Sequence, residues 1–306
     1  MHGSLCLAVL RPSYRILMTD RSAFQPMAFA QNLVLRGFMG ALLFIPYHWR
    51  VPLGGWFVSR ALAPIAGWRD RVRKNLALIL PDLPQSEVER LARAVPDAAG
   101  RTLIEVNSGA EFKAHVANCP IKGAGLTDIL AARARGQGVI LVSGHFGNYD
   151  VMRAVLSAKG YPVAAFYKPF SNPYFNTYYV RMIESVGAPI FAQTRSGMAA
   201  MVRHLRAGGM MGILIDQHSE HGAALSFFGH RALTGLSAAE MALKYNCLLI
   251  PVYGLRLPDG LNFELIVEDP VPHSTPQIMT QALNDSLETI ARPHLDQYFL
   301  IHRRWK

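Results

Sequence analysis

From about residue 137 the chain alternates short apolar runs with stretches of helical length, and this rhythm narrows the possible folds more than any other feature. "GVILVS" (138–143), "PVAAFY" (162–167), "APIFA" (188–192), "GMMGILI" (209–215) and "CLLIPVYGL" (247–255) have the length and apolar character of buried strands. Between the first four lie "NYDVMRAVLSAKG", "NPYFNTYYVRMIESVG" and "RSGMAAMVRHLRAGG", each long enough for a crossover helix. That order predicts an α/β fold with a largely parallel sheet flanked by helices. "LNFELIVED" (261–269) alternates as a more exposed strand should, and "TPQIMTQALNDSLETIARPH" predicts a late helix. No internal repeat, low-complexity tract or long linker interrupts this part.

The first 120 residues carry no strand pattern and read as helical. In "RDRVRKNLALILPDLPQSEVERLARAV" a basic start and an apolar stripe run into a Pro-Asp-Leu-Pro break. Ser86, three residues before Glu89, then has the spacing of a capping box. Residues 37–67 are strongly apolar, but Pro46, His48, Arg50 and Pro52 divide them into pieces shorter than the roughly 20 residues a spanning helix needs. They are expected to lie in a membrane interface with Tyr47, Trp49 and Trp56 at head-group level; the competing reading is a helical hairpin buried in the protein's own core. The chain thus divides into an N-terminal segment (1–36), a helical membrane-associating region (37–120) and an α/β core (121–306). "MHGSLCLAVL" at the start lacks a basic n-region and is a poor secretory signal.

Lys and Arg number 31 against 21 Asp and Glu, a formal charge of +10 carried by a chain that is 51% apolar. Anionic partners follow: phospholipid head groups, acidic proteins or phosphorylated ligands. Nucleic acid is set aside because interleaved aromatic and basic base-stacking motifs are not evident. Cys6, Cys119 and Cys247 are odd in number and far apart, which argues against a disulfide framework or a CxxC site and for a reducing compartment.

In an open α/β sheet, ligands bind beyond the carboxyl ends of the strands. "LVSGHFGNYD" (141–150) puts His145 there, with Asp150 five residues on. A carboxylate bonded to one imidazole nitrogen fixes the tautomer and leaves the other nitrogen to take a proton from a hydroxyl. A structural histidine beside a helix-dipole aspartate would leave the same trace, so the spacing alone leaves both readings open. Gly147 permits unusual backbone geometry, Asn148 is a candidate helix cap, and N–H groups around both are candidate oxyanion donors. Lys168 and Arg181 follow the second predicted strand, Arg195 the third, and Asp216 and Gln217 the fourth, where basic or polar side chains would meet a substrate. Asp216, His218 and His221 in "DQHSEHG" are metal-capable residue types, but the loop lacks an i, i+4 histidine pair, and no metal is expected.

The blocks "SGHFGNYD", "FYKPFSNPYF", "TRSG" with Arg195, "GGMMGILIDQ", "LSFFGHRALTG" and "YFLIHRRWK" occur in the order and approximate spacing of the bacterial lipid A late acyltransferases, and "RVRKNLALILPDL" resembles that family's N-terminal helical region. The resemblance covers nearly everything from about residue 33. It implies an acyltransferase of the wider lysophospholipid acyltransferase superfamily, moving a fatty acyl chain from an acyl carrier protein or coenzyme A thioester to a lipid hydroxyl, with no cofactor. It further implies that His145 and Asp150 form a catalytic His-x-x-x-x-Asp pair, that Phe227, Phe228 and Thr234 lie near the acyl-handling part of the site, and that the enzyme works on a lipid A precursor at the cytoplasmic face of the inner membrane. The family usually carries Glu where this chain has Asp150, so a lysophospholipid, aminolipid or glycolipid acceptor is the alternative. The closing "IHRRWK" is expected to face a membrane or an acidic partner rather than the chemistry.

Overall fold

A computed structural model of the protein describes residues 24–306. The expectation about the first ten residues, Cys6 and most of the 1–36 segment lie outside that range. The helical part comprises α1 (Pro26–Leu42), α2 (Tyr47–Phe57), a π-helical turn (Val58–Leu62), α3 (Ala63–Ile65), α4 (Trp68–Ile79), α5 (Gln85–Asn107) and α6 (Ala110–His115). There follow β1 (Ile121–Lys122), α7 (Gly125–Ala134), β2 (Val139–Ser143), α8 (Val151–Ala158), β3 (Val163–Tyr167), α9 (Pro173–Val186), β4 (Ile190–Ala192), α10 (Arg195–Arg206) and β5 (Met210–Leu214). A hairpin of β6 (Ala223–Phe227) and β7 (His230–Thr234) comes next, then α11 (Ser237–Tyr245), β8 (Leu248–Arg256), β9 (Phe263–Val267) and α12 (Pro276–Ala291).

Seven strands form one sheet in the order β1-β9-β8-β2-β5-β3-β4, parallel throughout except for the β8–β9 pair. The expected α/β architecture is therefore present. All five β2 residues, the "VILVS" run, are buried, as a strand covered on both faces by helices must be. The last strand of the β2–β5 series does not add at the edge: β5 inserts between β2 and β3, and β8 packs on the other flank of β2. Its central place in the sheet puts the end of β2 beside the ends of two strands that lie far away in sequence. Side-chain caps start α9, α10 and α12, where Asn172, Thr194 and Thr275 accept from backbone N–H groups of the first turn.

The helical part packs on α8 and α9 through α1, α5 and α6, and α5 is tied to β8 by the Glu105–Arg256 pair. Glycines let α2 approach α5 closely: a Cβ on Gly100 would sit 2.7 Å from Val58 Cβ and 2.8 Å from the Gly54 carbonyl. Two expectations for this part are corrected. The helix that Ser86 was expected to cap begins at Gln85, with Pro84 at the cap, and Glu89 is bound to Arg73 through both carboxylate oxygens. Tyr47 is buried, packed on His115 and under the Arg50 guanidinium, whereas Trp49 is 67% exposed. Other large apolar side chains of α1–α3 also face outward, Phe44 at 93% and Ile65 at 87% exposure among them. Among the described residues, no helix is long and apolar enough to cross a membrane.

Candidate active site

The backbone after β2 turns sharply because Gly147, at φ +53°, lies against the Gly254 carbonyl on β8; a Cβ there would be 1.9 Å from that oxygen. The loop is tied down from three sides. Asn148 Nδ2 donates to Glu105 Oε2 on α5 at 2.8 Å, and the same carboxylate is paired with the buried Arg256 guanidinium of β8 (Arg256 Nη2 to Glu105 Oε2, 2.7 Å). Thr102 Oγ1 donates to the Gly147 carbonyl. The segment 297–299 runs alongside, with Gly147 N–H donating to the Gln297 carbonyl and Phe299 N–H to the His145 carbonyl, each at 2.9 Å.

This frame holds the His145 imidazole at the carboxyl edge of the sheet, where its side chain is 16% exposed. Its Nδ1 lies 2.8 Å from Asp216 Oδ1, and its backbone N–H donates to Asp216 Oδ2 at 2.9 Å. The parallel register explains the pairing: Ser143 lies opposite Leu214, and Ile215 N–H donates to the Ser143 carbonyl, so the residues two steps on, His145 and Asp216, fall side by side. Asp216 is fully buried, which by itself would raise its pKa. The charge and hydrogen bonds of His145, with a smaller contribution from His302, outweigh burial and bring it down to about 2. An ionised carboxylate only accepts hydrogen bonds, so Nδ1 carries a proton, and among the described residues Nε2 has no hydrogen-bond partner.

Asp150 takes a different place from the one its spacing predicts. It stands at the start of α8 and pairs with Arg153 at 2.5 Å, while Arg153 also donates to the carbonyls of Ile183 and Gly187. The carboxylate in contact with the imidazole is Asp216, and Asp150 lines the same cavity as His145 without being its hydrogen-bond partner. Gly147 and Asn148 also depart from expectation: both N–H groups are spent on carbonyls, those of Gln297 and Gly254, and Asn148 is wholly buried. Neither is free to hold an oxyanion in this conformation.

A second imidazole, absent from the sequence reading, completes the centre. The His302 ring sits edge-on to His145 with centroids 4.6 Å apart. Burial first, then the neighbouring His145, depress its pKa to about 4, against an opposing pull from Asp216, so it stays neutral at pH 7. A neutral ring there adds no like charge beside the His145 imidazole. In the tail after His302, Arg303 and Lys306 are exposed, as a surface patch would be, but Arg304 and Trp305 turn inward. Arg304 is buried, donating to the Leu233 carbonyl (2.8 Å) and Thr234 Oγ1 (2.6 Å), and Trp305 stacks on Phe227 and donates to its carbonyl. Phe228 and Thr234 are accordingly buried in the seam between the β6–β7 hairpin and this tail, and they do not line the His145 cavity.

That cavity has a volume of about 830 Å³. Its lining includes the apolar Met152, Met198, Met201, Met211, Ile213 and Met241 and the polar Asp150, Gln217, Lys168 and Lys244, with Tyr149 edge-on to His145. Lys168 and Gln217 thus reach the site. Arg181 lines a separate, smaller cavity with Arg36 and Tyr178, and Arg195 lies exposed at the start of α10, between Gln193 and Met198 that do line the large one. Among the described residues no group of three or more His, Cys, Asp or Glu is placed to hold a metal ion, and Cys119 and Cys247 are buried free thiols.

Residues 21–306 match the family described as bacterial lipid A biosynthesis acyltransferases. The chain belongs to that family. It is also 23% identical over 272 residues to a lipid A biosynthesis acyltransferase of Haemophilus influenzae, covering 86% of this chain and 84% of the relative. This chain is therefore an acyltransferase. Of the ordered blocks that carried the resemblance, "SGHFGNYD", "FYKPFSNPYF" and "GGMMGILIDQ" line the cavity and "YFLIHRRWK" brings His302 to His145, whereas Phe228 and Thr234 serve the tail seam.

Proposed function

We propose that this acyltransferase moves a fatty acyl chain from the thioester of an acyl carrier protein to a hydroxyl of a lipid A precursor, at the cytoplasmic face of the inner membrane. The observation that carries the reading is the His145–Asp216 pair, with His145 lining a large cavity that also has a methionine-rich apolar lining. His145 Nε2 removes the acceptor proton as the hydroxyl oxygen attacks the thioester carbonyl, and Asp216 holds the ring and balances its positive charge. Collapse of the tetrahedral intermediate expels the thiolate, which takes the proton back from the imidazolium; no acyl-enzyme and no cofactor are needed. With the backbone donors of Gly147 and Asn148 engaged, the side chains of Gln217 and Tyr149 are the candidates for the developing oxyanion. The methionine-rich wall suits a flexible acyl chain, because thioether side chains adapt to irregular contours. Lys168 and Lys244 offer charge to phosphates of the acceptor or of the carrier's prosthetic arm, and the net charge of +10 suits both an acidic carrier and an anionic membrane.

The test is acyl transfer by purified protein, with acyl carrier protein and coenzyme A thioesters offered separately to lipid A precursor and to lysophospholipid acceptors. Transfer to the precursor from the carrier thioester, lost in His145→Ala, is expected. Preference for the lysophospholipid would replace the acceptor, and near-normal turnover by a folded His145→Ala enzyme would remove the mechanism.

A further inference from the structure

A second cavity, about 740 Å³, lies between the π-helical turn, α5 and the β8–β9 turn, and it shares no lining residue with the His145 cavity. Most of its charged groups are mutually satisfied. Asp97 pairs with Arg101, Glu89 is held by Arg73, Arg90 by Glu87 and Arg256 by Glu105. Asp296, on the tail, remains near Arg90. Two lining guanidiniums, those of Arg60 and Arg93, make no ion pair or hydrogen bond among the described residues, and Glu89, the carboxylate nearest in effect to Arg93, is already bound through both oxygens to Arg73.

These two arginines and a third are gathered by one residue. Ser59, in the π-helical turn, donates its hydroxyl to the Arg93 carbonyl on α5 at 2.7 Å, and its own carbonyl accepts from Arg69 Nη2 of α4 at 2.6 Å; Arg60 is its chain neighbour. Wide π turns are a costly departure from α geometry and recur at functional sites. Arg60 and Arg93 line the cavity beside Ser59, the Arg69 guanidinium reaches its rim through the Ser59 carbonyl, and Arg69 is depressed below its usual range, by burial first and then by Arg93, Arg60 and Arg73. Glu89, the carboxylate acting on it, has both oxygens committed to Arg73. Such a cluster is stabilised by an anion that accepts several charge-assisted hydrogen bonds at once, and a phosphate oxygen set does so best. The same helical stretch exposes Trp56, Leu62 and Ile65, side chains suited to the apolar side of a lipid head-group layer.

We propose that Arg60, Arg69 and Arg93 form a phosphate-binding site for the head group of an anionic membrane lipid, separate from the catalytic cavity, which docks the protein with the π-helical turn against the bilayer. The lipid source of the phosphate rests on the membrane setting proposed above, whereas the site itself does not rest on the chemistry at His145.

Flotation of full-length protein with phosphatidylcholine vesicles, with and without phosphatidylglycerol, tests this in the His145→Ala background, where turnover plays no part. Arg60→Gln with Arg93→Gln is compared with Arg203→Gln plus Arg206→Gln, which removes equal charge from α10. The first pair is expected to lose binding to the anionic vesicles about thirtyfold, the control pair much less, with circular dichroism unchanged in both. Arg60→Lys with Arg93→Lys keeps the charge but not the forked donors, and should fall between wild type and the Gln pair. Equal loss in the two Gln pairs, or none in either, overturns the site in favour of diffuse charge. Inorganic phosphate is the second arm. If it raises the unfolding temperature of wild type but not of the Arg60/Arg93 pair while flotation is unaffected, the ligand is soluble phosphate and the lipid assignment falls.

Discussion

Asp216→Asn isolates the contact that matters most. In the folded chain the carboxylate accepts two hydrogen bonds, from the His145 ring at 2.8 Å and from its backbone N–H at 2.9 Å. An amide has one acceptor oxygen, so it cannot satisfy both donors. If the oxygen keeps the backbone N–H, the NH₂ group faces Nδ1, which must then be unprotonated; the proton moves to Nε2 and the base is lost. Electrostatics adds to this. The depression of Asp216 from 3.8 to about 2 corresponds to about 2 kcal/mol favouring the ionised form, the imidazole being its main favourable partner, or a factor of about 30 in rate if the imidazolium of the transition state feels the same field. With the tautomer reversed as well, kcat should fall by about 10³–10⁴ while KM changes little, the loss seen when a catalytic histidine loses its orienting carboxylate. Steady-state kinetics beside Asp150→Asn decide the matter. If Asp216→Asn keeps activity within about tenfold and Asp150→Asn loses 10³, the orienting carboxylate is the one that sequence spacing indicates, and the register argument fails.

Three further outcomes are expected. His302, depressed from 6.5 to about 4, binds its proton more readily in the unfolded chain, so its contribution to stability is present above pH 6.5 and is lost as pH falls toward 4. Urea unfolding from about pH 7 to about pH 5 should cost wild type about 2 kcal/mol more than His302→Asn, and equal slopes would show that the ring is not held neutral. Glu105→Gln leaves the buried Arg256 guanidinium without its counter-charge and should lower stability by about 3–5 kcal/mol, which thermal unfolding would register as a drop of about 10 °C. At Gly212, in the cavity wall, an added Cβ would meet the Met152 Cε at 2.8 Å, so Gly212→Val pushes that flexible side chain into the cavity. Mass spectrometry of the product should show a shift to shorter acyl chains, and an unchanged chain distribution would place the chain elsewhere.

Much of the fold was legible in the sequence because buried parallel strands and their crossover helices have distinct periods. β2, β3, β5 and β8 fall within a residue or two of their apolar runs. β1, only two residues long, leaves no pattern, and strand order is not encoded locally at all: nothing in "GMMGILIDQ" says that β5 inserts beside β2. That is why His145 and Asp216 were each placed at the right edge while their partnership went unseen. Asp150 was the nearer carboxylate in sequence, but Arg153, one helical turn on, competes for it. The basic tail misled for a related reason. Arg304 is buried not by a carboxylate that spacing might suggest but by the Leu233 carbonyl and the Thr234 hydroxyl, about 70 residues away.

The in-register pairing of β2 with β5 frees the His145–Asp216 pair, the proposed base and its carboxylate, from sequence distance. Its two members lie 71 residues apart, yet their proximity is set by neighbouring strands and needs nothing from the length of the chain between them. That chain includes α8, β3, α9 and α10, the elements that supply much of the cavity wall. Loops there can lengthen or shorten, and wall residues can be exchanged, without moving the base from its carboxylate. Chain-length and acceptor preference can therefore diversify as an insert carried between two fixed strand ends, while the proton-transfer chemistry stays constant.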